Sequence, residues 1–191
     1  MSDFIMLKNV RISFPHLFTK PIINGDEGKF GCALMLDPKA NAEGIQAIQS
    51  NIDDFIKTKA KGKKIPSEKL CLRDGEDKGR EEYEGYRVLS ANTGTRPLVL
   101  STNGKDQIHD EEKCPIYSGC YVNAKVRLWW QDNKYGKRVN CELIAVQFAA
   151  EGQPLSELHV STEKAMEGFE SISDEDSTFL GDDDIDLDFA A

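Results

Sequence analysis

Residues 116–131 alternate two kinds of side chain, and this pattern constrains the fold more than any other feature of the chain. The even positions, from Ile116 to Trp130, are nearly all apolar. Successive side chains of a β-strand point to opposite faces, so the pattern predicts a single long strand whose even face is buried. The odd face then presents three aromatic residues, two cations and an amide at the surface: Tyr117, Tyr121, Asn123, Lys125, Arg127 and Trp129.

The residues of this odd face have the chemistry that binds unpaired nucleic-acid strands. Unpaired bases stack on aromatic rings with about 1–3 kcal/mol per base, and the phosphates between them attract Lys and Arg. An alternative explanation is that Tyr117 and Tyr121 are only strand-favouring residues, and that Trp129 covers the edge of the core. Trp130 lies on the even face and is predicted to belong to the core.

Residues 132–138 have the composition of a basic hairpin loop with an aromatic residue near its tip. Residues 139–148 would form the return strand, with a bulge near Leu143 and Ile144 where the alternation slips. Between Tyr117 and Arg138 the chain has five basic residues and one acidic residue. The loop therefore extends the predicted binding surface by four residues: Lys134, Tyr135, Lys137 and Arg138.

The acidic residues are concentrated at the C-terminal end of the chain. The 191 residues include 24 Lys and Arg against 33 Asp and Glu, a net charge of -9. Ten of these acidic residues lie in residues 167–191, which contain no Lys or Arg, so residues 1–166 hold 23 acidic and 24 basic residues. We predict a folded domain over residues 1–166 and a disordered acidic interaction tail over residues 167–191. The net charge therefore does not argue against a nucleic-acid partner.

The remaining patterns predict short strands and one long helix. Alternating side chains predict strands over residues 8–14, which Pro15 would end, and over residues 29–36, 86–91 and 97–100. Apolar residues at steps of three and four predict a helix that Asp37 or Asn41 could cap and Gly62 could end. Residues 73–84 predict a charged surface loop, and residues 161–169 a short helix.

Together these elements favour a mainly β protein with an OB-fold, a small antiparallel Greek-key barrel, which here contains an inserted helix. Other small β-barrels and an α+β sandwich fit the same pattern. Because OB-folds present a strand face to single strands, this fold agrees with the nucleic-acid chemistry of residues 116–138.

Catalysis and membrane insertion find little support in the sequence. The five cysteines are scattered, the three histidines are isolated, and no phosphate-binding glycine loop occurs. We therefore expect a protein that is not an enzyme and needs no metal or cofactor. Scattered cysteines are typical of reduced cytosolic proteins, and no apolar run reaches the ~20 residues that span a bilayer. We expect a cytoplasmic protein with no membrane partner.

The C-terminal end sets three hydrophobic residues among five aspartates. A tail that only increased solubility would not need the hydrophobic residues, although solubility alone is the alternative. The pattern favours a peptide that docks into an apolar pocket with a basic rim. Its residues are Asp182, Asp183, Asp184, Ile185, Asp186, Leu187, Asp188 and Phe189.

Several sequence blocks resemble the bacteriophage single-stranded DNA-binding proteins, a family formerly grouped as a domain of unknown function. They are ANTGTRP at residues 91–97, PIYSGCYVNA at residues 115–124, VQF at residues 146–148 and GQPL at residues 152–155. The resemblance covers most of residues 8–155. It implies an OB-fold that coats single-stranded DNA, without strong sequence preference, during phage replication, recombination and repair in the bacterial host cytoplasm. Arg96, in the first block, is a further candidate DNA contact.

The acidic end is similar to the tips of bacterial and phage single-stranded DNA-binding proteins, which implies that it recruits replication and recombination proteins. Those tips usually end on an aromatic residue, whereas Ala190 and Ala191 follow Phe189 here. Two other functions fit the sequence: an adaptor that acts through the acidic tail, and an RNA-binding OB-fold protein. Whether the protein forms a homodimer is left open.

Overall fold

The structure is a computed structural model that describes residues 4–155 and 166–169. The chain divides into two units, residues 1–159 and residues 160–191. In the second unit, the Phe169 N–H donates a hydrogen bond to the Met166 carbonyl and closes a single turn. The rest of the predicted short helix, and the predicted docking peptide from Asp182 to Phe189, lie outside the described residues.

The described part of the first unit contains nine strands and one long helix. In chain order they are β1 (Ile5–His16), β2 (Ile22–Ile23), β3 (Asp26–Glu27), β4 (Phe30–Leu36), α1 (Ala42–Thr58), β5 (Leu72–Asp74), β6 (Arg87–Thr93), β7 (Leu98–Leu100), β8 (Tyr121–Asn133) and β9 (Gly136–Ala150).

Five of these strands close into a barrel. Strand β1 pairs antiparallel with β4 and β8, β4 pairs antiparallel with β6, and β8 pairs antiparallel with β9. The barrel closes where β6 and β9 meet in parallel at Ala91 and Cys141. This closed five-stranded barrel with one inserted helix confirms the predicted OB-type architecture.

The other elements extend or cover the barrel. Strand β5 continues the sheet beyond β6, β7 runs parallel to β9, and β2 and β3 form a separate small hairpin. Helix α1 follows β4 and buries Ile48 and Ile52 against the barrel core. The prediction that Gly62 ends the helix is wrong, because α1 ends at Thr58. Gly62 lies in the turn that follows, where its φ of 74° favours glycine.

The even residues of β8 point into the barrel, as their alternation predicted. Val122, Ala124 and Val126 are fully buried, and Leu128 is nearly so. On β9 the predicted bulge is present at Ile144, because Lys125 pairs with Ala145 whereas the next residue, Val126, pairs with Leu143. Because of the bulge, apolar residues of both strands face the core both before and after the change in register.

Several boundaries differ from the sequence predictions: β1 already begins at Ile5, and β9 begins at Gly136, so the predicted loop over residues 132–138 is mostly strand. Strand β1 continues through Pro15 to His16, because its pairing shifts between Ser13 and His16, where a residue without an N–H is tolerated. Strand β8 begins at Tyr121 and not at residue 116, since a turn through Gly119, with φ of 113°, precedes it. Residues 72–86 form β5 and two short 3-10 turns, not an irregular loop.

Candidate nucleic-acid interface

The odd residues of β8 point away from the core, as predicted, but they differ in how accessible they are. Lys125 and Trp129 are exposed, and the Trp129 side chain shows 40% of its surface to solvent. Tyr121, Asn123 and Arg127 are half-buried. The outer face of β8 is therefore most open to a ligand near Trp129.

The first half of this face is tied into the protein by hydrogen bonds. The Asn123 amide oxygen accepts a bond from the Asn9 backbone N–H at 3.0 Å, and its nitrogen donates to the Gln147 side chain at 3.0 Å. The ring of Tyr121 lies against Gly152, where a Cβ would sit 3.0 Å from its Cε2. These side chains fix β8 against β1 and β9.

Tyr117 lies before β8, so the prediction that it belongs to the same strand face is wrong. Its hydroxyl donates a hydrogen bond to the Gly152 carbonyl at 2.8 Å and accepts one from the Gly152 N–H at 3.0 Å. Its half-buried ring packs against the main core. Tyr117 thus connects the turn before β8 to the segment after β9.

The two cations of the β8 face have partners within the protein. Arg127 donates to one oxygen of Glu142 on β9 from Nη2 at 2.6 Å and from Nε at 3.1 Å. Lys125 lies over the Phe4 ring at 4.8 Å from its centroid, and Arg127 lies 5.6 Å from the same centroid. A phosphate that bound to Arg127 would compete with Glu142.

The β8–β9 hairpin carries the other predicted residues, and its tip is open. Tyr135 is 71% exposed, and Lys134 lies 5.0 Å from the centre of its ring. Lys137 faces Asp132 at 3.9 Å, and Arg138 donates to the Glu68 backbone carbonyl at 3.2 Å. The carboxylate of Asp132 therefore offsets only one of the hairpin cations.

Arg96, the candidate from the family-like block, is held in a loop contact. Its guanidinium stacks on the Phe18 ring at 4.4 Å and donates to the His109 carbonyl at 2.7 Å. Both contacts are structural, and Arg96 lines neither of the two cavities beside Trp129.

A groove of about 490 Å³ runs beside Trp129, between the β8–β9 hairpin and the segments that flank β5 and β6. We call it the basic groove. Of the predicted residues, Trp129 and Arg138 line it. Four further cations line it that the sequence reasoning did not select: Lys29, Lys69, Arg73 and Lys78.

The basic groove is strongly positive. Its walls carry five cations and one carboxylate, that of Glu68. Within residues 4–155, none of the five cations forms an ion pair. A smaller cavity of about 330 Å³ shares Lys29, Asn92 and Trp129 with the groove and reaches Arg127 and Glu142. The aromatic side chain and the unpaired positive charges therefore meet at one place.

Two thiols also line the groove, and burial disfavours their reactive thiolate form. Burial raises the pKa of the Cys71 thiol to about 12 and raises that of Cys141 well above its usual range. Both are therefore neutral at physiological pH. Among the described residues, no group of three or more His, Cys, Asp or Glu side chains is arranged to hold a metal ion.

Comparison with known proteins places this barrel in a phage family. Residues 4–180 match the family described as the single-stranded DNA-binding protein of Enterobacter phage Enc34. The chain belongs to this family. The resemblance seen in the sequence blocks is confirmed.

Individual proteins and solved structures are also similar to this chain. Protein p50 of Acyrthosiphon pisum secondary endosymbiont phage 1 is 36% identical over 157 residues, which cover 78% of this chain and 84% of that protein. The structure of the Enc34 protein in complex with single-stranded DNA has a TM-score of 0.72 and 30% identity, covering 81% of this chain and 90% of that one. Another structure of the Enc34 protein has a TM-score of 0.69 and 33% identity, covering 86% of this chain and 90% of that one.

The groove cations of this Enc34-family chain come together through pairing that no local pattern encodes. Strand β5 pairs with β6, and Leu70 forms an isolated bridge with Val139, so Lys69 lies beside the hairpin arm. The Arg127–Glu142 pair, by contrast, follows from the register of the hairpin. Because Asn133 pairs with Gly136, residue 127 on β8 lies opposite residue 142 on β9.

Within residues 4–155 and 166–169, no helix is long and apolar enough to span a membrane.

Proposed function

We propose that this protein binds single-stranded DNA without strong sequence preference and coats it. One observation carries the proposal: an exposed Trp129 lies at a groove whose five cations have no ion-pair partner among the described residues. Membership of the Enc34 family, and the Enc34 structure in complex with single-stranded DNA, support it. An aromatic platform beside unpaired cations suits alternating bases and phosphates.

The binding surface extends from the basic groove over the β8–β9 hairpin. Trp129 stacks a base, and Tyr135 and Tyr121 are further stacking candidates. Lys125, Arg127, Lys134, Lys137 and Arg138 neutralise phosphates, and Asn123 and Arg96 are candidate polar contacts. Each neutralised phosphate releases condensed counterions, which makes the affinity depend on salt and not on base sequence.

The biological role follows from this activity. Coating of single strands protects and presents them during phage DNA replication, recombination and repair in the cytoplasm of the bacterial host. The protein acts by binding and not by catalysis, and residues 1–166 form the binding domain.

The acidic tail, residues 167–191, has two roles in this proposal. Its ten carboxylates compete with DNA for the cationic surface. The peptide Asp182–Phe189, with Ile185 and Leu187 among the aspartates, docks onto replication and recombination proteins. Competition and docking use the same charges, so DNA binding would release the tail for its partners.

A fluorescence titration with oligo-dT at several salt concentrations tests the binding proposal. We expect quenching of tryptophan emission and a log-log salt slope of about −0.7 per neutralised phosphate. Matched RNA and duplex ligands measure the preference for single-stranded DNA, since only RNA offers the 2′-hydroxyl. If oligo-dT did not quench the tryptophan emission and no salt-dependent binding were measured, the proposal would be overturned. The acidic tail would then be left as the functional part.

A further inference from the structure

Lys78 occupies an unusual position in one wall of the basic groove. It lies in the segment between β5 and β6, which folds back on itself where the Gly75 N–H donates to the Tyr86 carbonyl at 2.8 Å. Gly75 has no space for a side chain, since a Cβ there would collide with the Tyr83 carbonyl oxygen. The backbone that carries Lys78 is therefore firmly placed.

The Lys78 ammonium is partly withdrawn from water without a counter-charge. Its Nζ lies 3.3 Å from the Ser90 hydroxyl oxygen, and among the described residues it is in no ion pair. Burial lowers the pKa of Lys78, and the positive charges of Arg73 and Arg80 lower it further. The charged form of Lys78 is thus destabilised by its own surroundings.

Arg73 beside it is also incompletely satisfied. Its Nε is buried and has no hydrogen-bond partner among the described residues, and its Nη2 donates to the Asp77 carbonyl at 3.3 Å. Arg80, by contrast, stacks on Phe14 at 4.4 Å and pairs with Glu82 at 3.4 Å. Two neighbouring cations that line the groove, Lys78 and Arg73, therefore have N–H donors without an acceptor among the described residues.

A partly buried cation without a counter-charge loses hydration that no opposite charge offsets. An anion that entered the groove would remove this cost at both residues. A phosphodiester carries one negative charge and several acceptor oxygens, which suits an ammonium, a guanidinium and a hydroxyl together. Trp129 lines the same groove and offers a ring for a neighbouring base.

We propose that Lys78 and Arg73, with the Ser90 hydroxyl, form a binding site for one backbone phosphate of the nucleic acid, and so direct the strand through the basic groove. This inference rests on the proposed single-stranded DNA binding. It adds a specific anchor outside the β8–β9 hairpin, in a segment whose sequence predicted only a charged loop.

The test compares Lys78→Gln with wild type and with Lys105→Gln, an exposed lysine that lines neither cavity beside Trp129. For Lys78→Gln we expect oligo-dT affinity to fall by about tenfold or more at low salt, and the salt slope to shrink by about 0.7. Lys105→Gln should change neither quantity substantially.

A second measurement follows the unfolding temperature in pyrophosphate against chloride at equal ionic strength. We expect pyrophosphate to stabilise wild type more than Lys78→Gln. Wild-type DNA affinity and salt slope in Lys78→Gln, or equal stabilisation of Lys78→Gln and wild type by pyrophosphate, would overturn the phosphate site. If pyrophosphate stabilised the wild-type protein but oligo-dT did not bind to it, the anion site would be supported and the proposed DNA-binding function would be wrong. If the wild-type protein responded to neither pyrophosphate nor oligo-dT, both proposals would be wrong.

Discussion

The hydroxyl of Tyr117 forms two hydrogen bonds with the backbone of Gly152, one to its carbonyl at 2.8 Å and one from its N–H at 3.0 Å. Gly119 and Gly152 pack backbone to backbone at the same place, since a Cβ on Gly152 would collide with the Gly119 carbonyl oxygen. Two of the family-like blocks, residues 115–124 and 152–155, therefore meet and join the two ends of the β8–β9 hairpin.

Loss of this hydroxyl should destabilise the barrel more than it affects DNA binding. Tyr117→Phe keeps the ring but leaves the N–H and carbonyl of Gly152 unpaired, so we expect the free energy of unfolding to fall by about 1–3 kcal/mol. Tyr135→Phe removes a hydroxyl from an exposed ring and serves as the control. Chemical denaturation measures both. A Tyr117→Phe variant with wild-type stability would contradict this role.

Trp129 should account for both the affinity and the optical signal of DNA binding. Trp129→Leu removes the stacking surface, and we expect affinity for oligo-dT to fall by about 1–3 kcal/mol. Trp130 points to the opposite face and packs against the core, so Trp130→Phe should retain both affinity and quenching. If quenching persisted in Trp129→Leu and disappeared in Trp130→Phe, the DNA would contact Trp130 on the opposite face of β8, and the prediction would be wrong.

Glu142 should weaken DNA binding by holding Arg127. Because Glu142→Gln removes the carboxylate 2.6 Å from the guanidinium, we expect tighter oligo-dT binding at low salt and a salt slope that steepens by up to about 0.7. Glu112→Gln makes the same charge change in an exposed loop away from the groove. Equal effects of the two variants would mean that only the net charge matters.

The cysteines should react slowly in the folded protein. Burial raises the pKa of all five, to about 12 for Cys32 and Cys71, and the thiolate is the reactive form. With Ellman's reagent at pH 8 we expect Cys114, the least buried, to react first, and the rates to rise about tenfold per pH unit. Cys114→Ser should remove the early phase. Early labelling of Cys71 would show that the groove opens.

Much of the fold could be predicted because its signals are local. The alternation of β8 determines which residues are buried, and the slip in alternation located the bulge at Ile144. Pro15 gave the wrong end for β1, because a proline can remain in a strand where the pairing shifts. That shift depends on the partner strand β4, which the sequence of β1 does not contain.

The candidate interface was less predictable, because its charges come from distant parts of the chain. Trp129 and Arg138 were selected from one hairpin, whereas Lys29, Lys69 and Lys78 join them only when the barrel closes. Within the hairpin, the register alone indicates that Arg127 faces Glu142. No local pattern indicates that the groove lysines, in distant segments, have no ion-pair partner among the described residues.

The acidic tail should compete with DNA through its charge, and this can be separated from partner docking. Deletion of residues 171–191 removes eight carboxylates, and we expect tighter oligo-dT binding, most strongly at low salt. Electrostatic competition weakens as the Debye length falls, from about 30 Å at 0.01 M salt to about 8 Å at 0.15 M. Titrations of full-length and truncated protein at both salt concentrations measure the effect.

Two full-length variants distinguish charge from sequence in the tail. Replacement of the five aspartates between Asp182 and Asp188 by Asn keeps the length and the hydrophobic residues, and should shift affinity towards that of the truncated protein. A scrambled order of residues 182–189 keeps the charge, and should leave DNA affinity at the wild-type value while abolishing partner docking. If the scrambled tail tightened DNA binding as the deletion does, the tail would act through a specific contact with the barrel. Charge alone could not account for the change in affinity, because the scrambled tail keeps its charge.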